Sequence, residues 1–238
     1  DPEYWFDLQA RSRHYMSFLA QLSTARRVPM LLGIGALIPR GDFSNSIKQN
    51  RTVLVLPDRG VVDEYSKVHL VPFGEYIPFG QWPRLKNALL KLTPYRIDYS
   101  NTPGTRWTRF ILPPALLPPL SAAPASASSP ASLAQAGPSP SPAVAPLSTM
   151  RAYSFGTPIC FEDVMPYPAR AMATPFSAEA DGHKADFLVN VSNDGWFKSV
   201  ELDQHLQATQ VRAVENRLPI ARSANTGISG FINQKGEI

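Results

Sequence analysis

The stretch "TVLVLPDRG", Thr52 to Gly60, sets Val53 and Val55 on one side of an extended chain and Leu54 and Leu56 on the other, then stops at a Pro-Asp-Arg-Gly turn. A strand with no polar face has to be covered above and below, so the fold it belongs to needs layers on both sides of its sheet. Two further short apolar runs, "MLLGIGALI" from Met30 and "DFLVNV" from Asp186, read as strands of the same buried kind. Helical patterns lie between them. After an Asp1-Pro2 opening, Tyr4, Leu8, Tyr15, Phe18, Leu19 and Leu22 recur at helical spacing to about Ala25. In "ELDQHLQATQVRAVENRL", Leu202, Leu206, Thr209, Val211 and Val214 are the expected apolar side of a second helix, and two short strands around Asn-Thr-Gly are expected to follow. Alternation of helix and strand favours an α/β architecture.

From about 112 to 149 the composition turns to proline, alanine and serine, as in "PASASSPASLAQAGPSPSPAVAP", with almost no charge and no periodicity. Such a segment cannot bury enough apolar surface to order itself, so it is expected to be a disordered insertion. Its flanks, "RWTRFILP" and "MRAYSFGTPICFED", read as two strands that pair without it, which leaves 1–238 as a single domain.

The longest apolar runs fall short of the roughly 18 residues needed to span a bilayer, so no segment of the chain is expected to cross a membrane. The start, "DPEYWFDLQA", lacks the basic and apolar regions of a signal peptide and reads as the interior of a longer protein. A formal net charge of +4 with scattered Lys and Arg offers no basic block for a nucleic acid, and none is expected as a partner. The four histidines are not spaced as metal ligands, and neither a metal nor another cofactor is expected.

One cysteine, Cys160, excludes an internal disulfide and a thiolate metal cluster. By itself a lone thiol is a packed core group, a redox accident or a nucleophile. Its position at the end of the apolar strand "YSFGTPI", before a turn carrying Glu162 and Asp163, suits a nucleophile whose next backbone N–H faces an oxyanion. No histidine is obviously paired with it. Lysine and glutamate remain, and "YSKVHLVPFGEYIPFG" places Lys67 and Glu75 on either side of a stiff, apolar loop, where a lysine held by a carboxylate can stabilise a developing negative charge. The blander reading of that pair is a solvated surface ion pair.

The blocks "YSKVHLVPFGEYIP", "PICFED" and "NVSNDGWF…QHLQATQVRAVENRLPIARSANTGISGFI" resemble, in order, those of the apolipoprotein N-acyltransferases, a membrane-embedded family within the nitrilase or carbon-nitrogen hydrolase superfamily. The resemblance runs from Leu31 to Ile238 outside the insertion. It implies a four-layer α-β-β-α nitrilase-like sandwich. It also implies a catalytic lysine at Lys67, the nucleophile at Cys160, a second essential glutamate at Glu75 and an acidic residue after the nucleophile at Glu162. "SNDGWF" would form a wall of the active-site pocket through Asn193 and Trp196. Phe161 stands where many members have tyrosine. The family's general-base glutamate follows an apolar strand in a Pro-Glu context; Glu3 follows Pro2, but Asp-Pro-Glu also opens helices, and the base is expected upstream of residue 1. The activity implied is transfer of an acyl chain from a phospholipid, through a cysteine thioester, to the N-terminal amine of a diacylglyceryl-cysteine lipoprotein. Transmembrane helices outside this segment would hold the domain on the periplasmic face of the bacterial inner membrane. The alternatives are a soluble amidase or nitrilase that uses water as acceptor, and a catalytically dead lipid-binding scaffold of the same fold.

Overall fold

The computed structural model describes residues 2–40, 42–91, 99–116, 152–174 and 184–238. Most of the expected 112–149 insertion lies outside the described residues. Its first residues are ordered, since Leu112 closes a strand and Pro114–Leu116 form a single 3-10 turn.

The chain opens with α1 (Pro2–Arg26) and continues through an antiparallel meander of β1 (Met30–Arg40), β2 (Asp42–Leu56) and β3 (Gly60–Ser66). After α2 (Pro83–Leu90), a second sheet has the order β4 (Arg109–Leu112), β5 (Tyr153–Gly156), β6 (Phe187–Asn193), β7 (Ile220–Asn225), β8 (Gly230–Ile232). The three middle strands are parallel and the outer pairs antiparallel. The parallel steps are made through α3 (Pro166–Ala173) and α4 (Ser199–Asn216), as right-twisted βαβ crossovers require.

The layers follow from this order. Helix α1 packs on β2 and β3, burying Leu19 and Ser23, and its Thr24 hydroxyl accepts the Asp58 N–H of the β2–β3 turn at 2.8 Å. On the other face of this sheet, the Thr52 and Thr157 hydroxyls meet at 2.6 Å, both fully buried, and Gly33 lies against Val191. Helices α3 and α4 cover the far face of the second sheet. The result is the four-layer α-β-β-α sandwich. Its core holds Leu54, Leu56, Tyr65, Leu188, Ile220 and Ile232 around the stacked rings of Phe110, Phe155 and Phe187, with centroids 5.3 and 5.0 Å apart. Each such fully buried aliphatic or aromatic side chain contributes about 1.5–3 kcal/mol.

Val53 to Leu56 are all buried, as the two-sided apolar run demands. The flanks of the insertion pair as expected, Arg109 opposite Gly156 through Leu112 opposite Tyr153. Two elements differ from expectation. β1 is the edge of its sheet and only half-buried, because β2 alone pairs with it. The inner face of α4 is formed by His205, Leu206, Thr209, Arg212, Ala213 and Asn216, while Val211 and Val214 are nearly half exposed. Hydropathy assigns the wrong side here, because the buried polar groups are satisfied by partners on other elements.

Candidate active site

The loop after β3 is fixed by main-chain bonds before any catalytic group is considered. The Lys67 N–H donates to the Asn50 carbonyl at 2.8 Å, and the Lys67 carbonyl accepts from Gly104 N–H at 2.7 Å. Gly104 passes so close to Ser66 that a Cβ there would lie 2.1 Å from the Ser66 carbonyl oxygen, which is why only glycine fits. Further on, the Glu75 and Gly74 N–H groups fold back on the Val71 carbonyl, at 2.8 and 3.2 Å, while Phe73 N–H donates to Tyr76 O at 2.8 Å. This hairpin returns Glu75 to Lys67.

The Lys67 side chain is fully buried and its Nζ donates to both carboxylate oxygens of Glu75, at 2.8 and 2.7 Å. Glu75 also accepts from Asn50 Nδ2 at 2.5 Å and from Val71 N–H at 2.9 Å. The pair is therefore not the solvated surface contact of the bland reading. Its carboxylate has four donors, and removing the lysine would strand a largely buried charge.

Cys160 begins a one-turn 3-10 helix, Cys160–Asp163, just beyond the end of β5. The turn is too short for the helix dipole expected at a longer N-terminus. The backbone is instead distinctive: Cys160 has φ 50°, the left-handed region that a residue with a Cβ seldom occupies, at a cost of about 1–3 kcal/mol. Such strain persists only where the surroundings over-determine it. Here they do, because Glu162 and Asp163 are both completely buried and point into different sets of partners.

Glu162 joins the two halves of the site. Its Oε1 accepts from the Tyr65 hydroxyl at 2.7 Å and from the Val68 and His69 N–H groups at 2.9 Å each; its Oε2 accepts from Ile159 N–H at 2.8 Å. A single carboxylate thus ties the residue before Cys160 to the two residues after Lys67. Burial pushes the Glu162 carboxyl up, while the bonds from Ile159, His69 and Tyr65 and the charge of Lys67 hold it down. Tyr65 stays protonated, its hydroxyl driven up by burial and by the Glu162 charge. Glu162 does serve its own turn, but it also positions the lysine loop.

On the other side, Asp163 accepts from His205 Nε2 at 2.8 Å, from Arg222 at 2.8 Å and from Thr209 Oγ1 at 2.5 Å. Arg222 reaches on to Asp194 at 2.8 Å and to the Asn190 carbonyl oxygen at 2.6 Å, and His205 Nδ1 lies 3.0 Å from Asp194. All of these side chains are buried. Burial pulls His205 down, but the hydrogen bond and charge of Asp163, with Asp194 adding, outweigh it and leave its pKa raised. Sequence reasoning missed this cluster. The only local signal is the density of polar residues in a helix flanked by apolar strands.

Asn193 and Trp196 follow β6. The Asn193 Oδ1 accepts from Gly195 N–H and Asn225 Nδ2, both at 3.2 Å, and so shapes its own turn, while Trp196 is 75% exposed. No hydrogen bond among the described residues joins either one to Lys67, Glu75 or Glu162. Both do share with Cys160 the carboxyl edge of the parallel strands, where ligands of open α/β sheets bind. Glu3 lies in the first turn of α1, in keeping with the helix-opening reading of Asp-Pro-Glu. Among the described residues no cluster of His, Cys, Asp and Glu could hold a metal ion.

This arrangement, a strained cysteine clamped to a buried lysine–glutamate pair at the edge of a four-layer sandwich, accords with the family match: the carbon-nitrogen hydrolase model covers residues 8–238, and the chain belongs to that family. Among curated proteins it is similar to the apolipoprotein N-acyltransferase of Geobacter metallireducens, 31% identical over 190 residues that make up 79% of this chain and 27% of that protein. It is likewise similar to the apolipoprotein N-acyltransferase of Aquifex aeolicus, 27% identical over 218 residues, 91% of this chain and 36% of that protein. The chain thus spans roughly a third of the length of these relatives. Solved structures with the same fold include the carbon-nitrogen hydrolase of Helicobacter pylori G27, with TM-score 0.51 and 15% identity over 100% of this chain and 65% of that one. Another is a glutamate-to-glutamine variant of the amidase of Nesterenkonia sp. AN1, carrying the acetamide moiety of fluoroacetamide on its active-site cysteine. Its TM-score is 0.52, with 14% identity over 93% of this chain and 59% of that one.

Proposed function

We propose that this chain is the catalytic domain of an apolipoprotein N-acyltransferase, in which Cys160 is the nucleophile, Lys67 the cation that holds negative charge on the reacting carbonyl oxygen, and Glu75 the residue that positions Lys67. The observation that carries the reading is the Glu162 carboxylate, which fixes the Cys160 turn against the main chain of Val68 and His69, next to a lysine with no exposure to water. A buried ammonium beside a thiol favours the thiolate and the tetrahedral oxyanion alike. The Cys160 thiolate attacks an ester carbonyl of a phospholipid and a lysophospholipid leaves. The thioester is then taken by the α-amino group of a diacylglyceryl-cysteine lipoprotein, giving ping-pong kinetics. The proton acceptor for the thiol is a glutamate that the residues discussed here do not supply.

The acceptor and donor are membrane components. No helix among the described residues is long and apolar enough to cross a membrane, so anchoring on the periplasmic face of the inner membrane falls to helices outside this segment. The loop around Glu75 supports a lipid-facing role: Phe73, Phe79 and Trp82 are each at least half exposed, and the last two stack at 5.7 Å. Amphipathic rings of this kind favour the interface.

The test is incubation of membranes containing the full-length protein with phospholipid labelled in its acyl chain, followed by mass analysis of Cys160. A hydroxylamine-labile acyl adduct is expected in the wild type and not in Cys160→Ser. No adduct in the wild type would remove the acyltransferase reading, and hydrolysis of short amides in its place would favour an amidase.

A further inference from the structure

His69 stands two residues beyond Lys67, and its own N–H is one of the donors that hold Glu162. Its ring therefore sits where the lysine loop meets the Cys160 turn. Nδ1 is hydrogen-bonded to the hydroxyl of Tyr167, from the first turn of α3, and the two rings meet edge to face with centroids 5.5 Å apart. Tyr167 packs in turn on Trp107, at 6.0 Å, and Trp107 stacks on Tyr65, at 6.2 Å, whose hydroxyl returns to Glu162. The imidazole is thus oriented from both sides, while Nε2 has no hydrogen-bond partner among the described residues. The ring is only partly buried.

The groups around it are Lys67 and Glu75 from its own loop, Glu162 from the Cys160 turn and Tyr167 from α3. Burial and then the Lys67 charge lower the His69 pKa, against a smaller opposing effect of Glu75, and burial with the Glu162 charge keeps the Tyr167 phenol protonated. His69 is accordingly neutral at neutral pH. With Nδ1–H donated to the Tyr167 oxygen, Nε2 presents a lone pair to the site.

Resting on the acyltransferase reading, we propose that His69, oriented by Tyr167, is the proton acceptor for the amine that takes the acyl group in the second half of the reaction. The free amine nitrogen attacks the thioester carbonyl carbon, the N–C bond forms and the C–S bond breaks. The proton lost by the nitrogen passes to Nε2, and the Cys160 sulfur departs as a thiolate paired with the Lys67 ammonium. Imidazolium beside Lys67 is disfavoured, so it sheds the proton to water and the site returns to its starting charge. The first half of the reaction contains no amine and makes no use of Nε2.

The experiment uses the full-length protein and separates the two halves. Thioester formation from labelled phospholipid is timed first; the preformed thioester is then discharged by a synthetic diacylglyceryl-cysteine peptide, in the wild type, His69→Gln and Tyr167→Phe. His69→Gln is expected to form thioester within about 2-fold of the wild-type rate and to discharge it to the peptide about 100-fold more slowly, the usual worth of a positioned base. Tyr167→Phe is expected to show a smaller loss in the same half only. Hydroxylamine, an amine already unprotonated at neutral pH, is expected to discharge the His69→Gln thioester nearly as fast as the wild-type one. Equal slowing of both halves in both variants, or no slowing of discharge, would overturn the inference while leaving the acyltransferase reading standing. A wild type that forms no thioester would overturn both.

Discussion

Replacing Arg222 by methionine tests how the Cys160 turn is held. The guanidinium is completely buried and spends its donors on Asp163 and Asp194 at 2.8 Å each, Asn190 at 2.6 Å, Thr209 at 2.9 Å and the Ile228 carbonyl at 3.2 Å. With His205 protonated, two carboxylates and two cations balance. Methionine fills much of the volume but leaves two buried carboxylates facing a single imidazolium, and breaking a buried ion pair on one side costs about 3–5 kcal/mol. For a domain of this size each kcal/mol corresponds to about 2–4 °C in Tm, so a fall of about 6–20 °C is expected. Urea unfolding followed by tryptophan fluorescence should show the lower midpoint with an unchanged slope. Arg222→Lys restores the charge but not the planar fork, and should recover only part of the loss. A loss below about 1 kcal/mol in Arg222→Met, or full recovery in Arg222→Lys, would refute the reasoning, the first by showing that water or protonation relieves the carboxylates and the second by showing that charge alone matters.

The other expectations concern the same turn. In Glu162→Gln, an acceptor-only group that meets four donors becomes an amide whose NH2 must face one of them; a loss of about 1–3 kcal/mol in urea unfolding is expected, together with slower thioester formation. Gly104→Ala drives a methyl group into the Ser66 carbonyl oxygen; a loss of about 1–3 kcal/mol is expected, with reduced acylation because the neighbouring Lys67 carbonyl is displaced. His205 has a raised folded pKa, so its protonation stabilises the fold fully below its unfolded pKa of about 6.5, and this contribution is lost as pH rises through the higher folded value. The urea midpoint should therefore fall from pH 6 to pH 9 more steeply in the wild type than in His205→Gln; parallel slopes would contradict the assignment.

How much of this was legible in the sequence depends on how far apart the partners are. The strand at Val53–Leu56 declares itself, since four consecutive apolar residues leave no alternative to cover on both faces. Lys67 and Glu75 are eight residues apart in a stiff loop, and their pairing is a local fact. Glu162 with Val68 and His69 joins positions more than ninety residues apart, and nothing in either segment announces the other. Helix α4 is the clearest failure of pattern reading. Val211 and Val214 look like core and lie outside, whereas His205, Thr209 and Arg212 look like surface and lie inside. Burial of a polar group depends on whether its hydrogen bonds are completed, which is a property of Asp163, Asp194 and Arg222 and not of the helix. Glycine 104 is similar, because its need for close approach becomes visible only once Ser66 is beside it.

The two clamps on the Cys160 turn explain why the site is built from charge at all. Residues Glu162 and Asp163 are adjacent, yet one turns toward the first sheet through Tyr65, Val68 and His69, and the other toward α4 and β7 through His205, Thr209 and Arg222. A well-packed apolar turn could be equally stable, since buried ion pairs seldom outperform hydrocarbon of the same volume. It could not hold a residue at φ 50°, however, because dispersion contacts are non-directional and the strained backbone would relax at little cost. Hydrogen bonds with fixed partners on two different layers remove that freedom. What the polar interior supplies is therefore orientation: the cysteine is kept at one place between the sheets, so that a lysine anchored elsewhere in the chain meets it without rearrangement when charge develops.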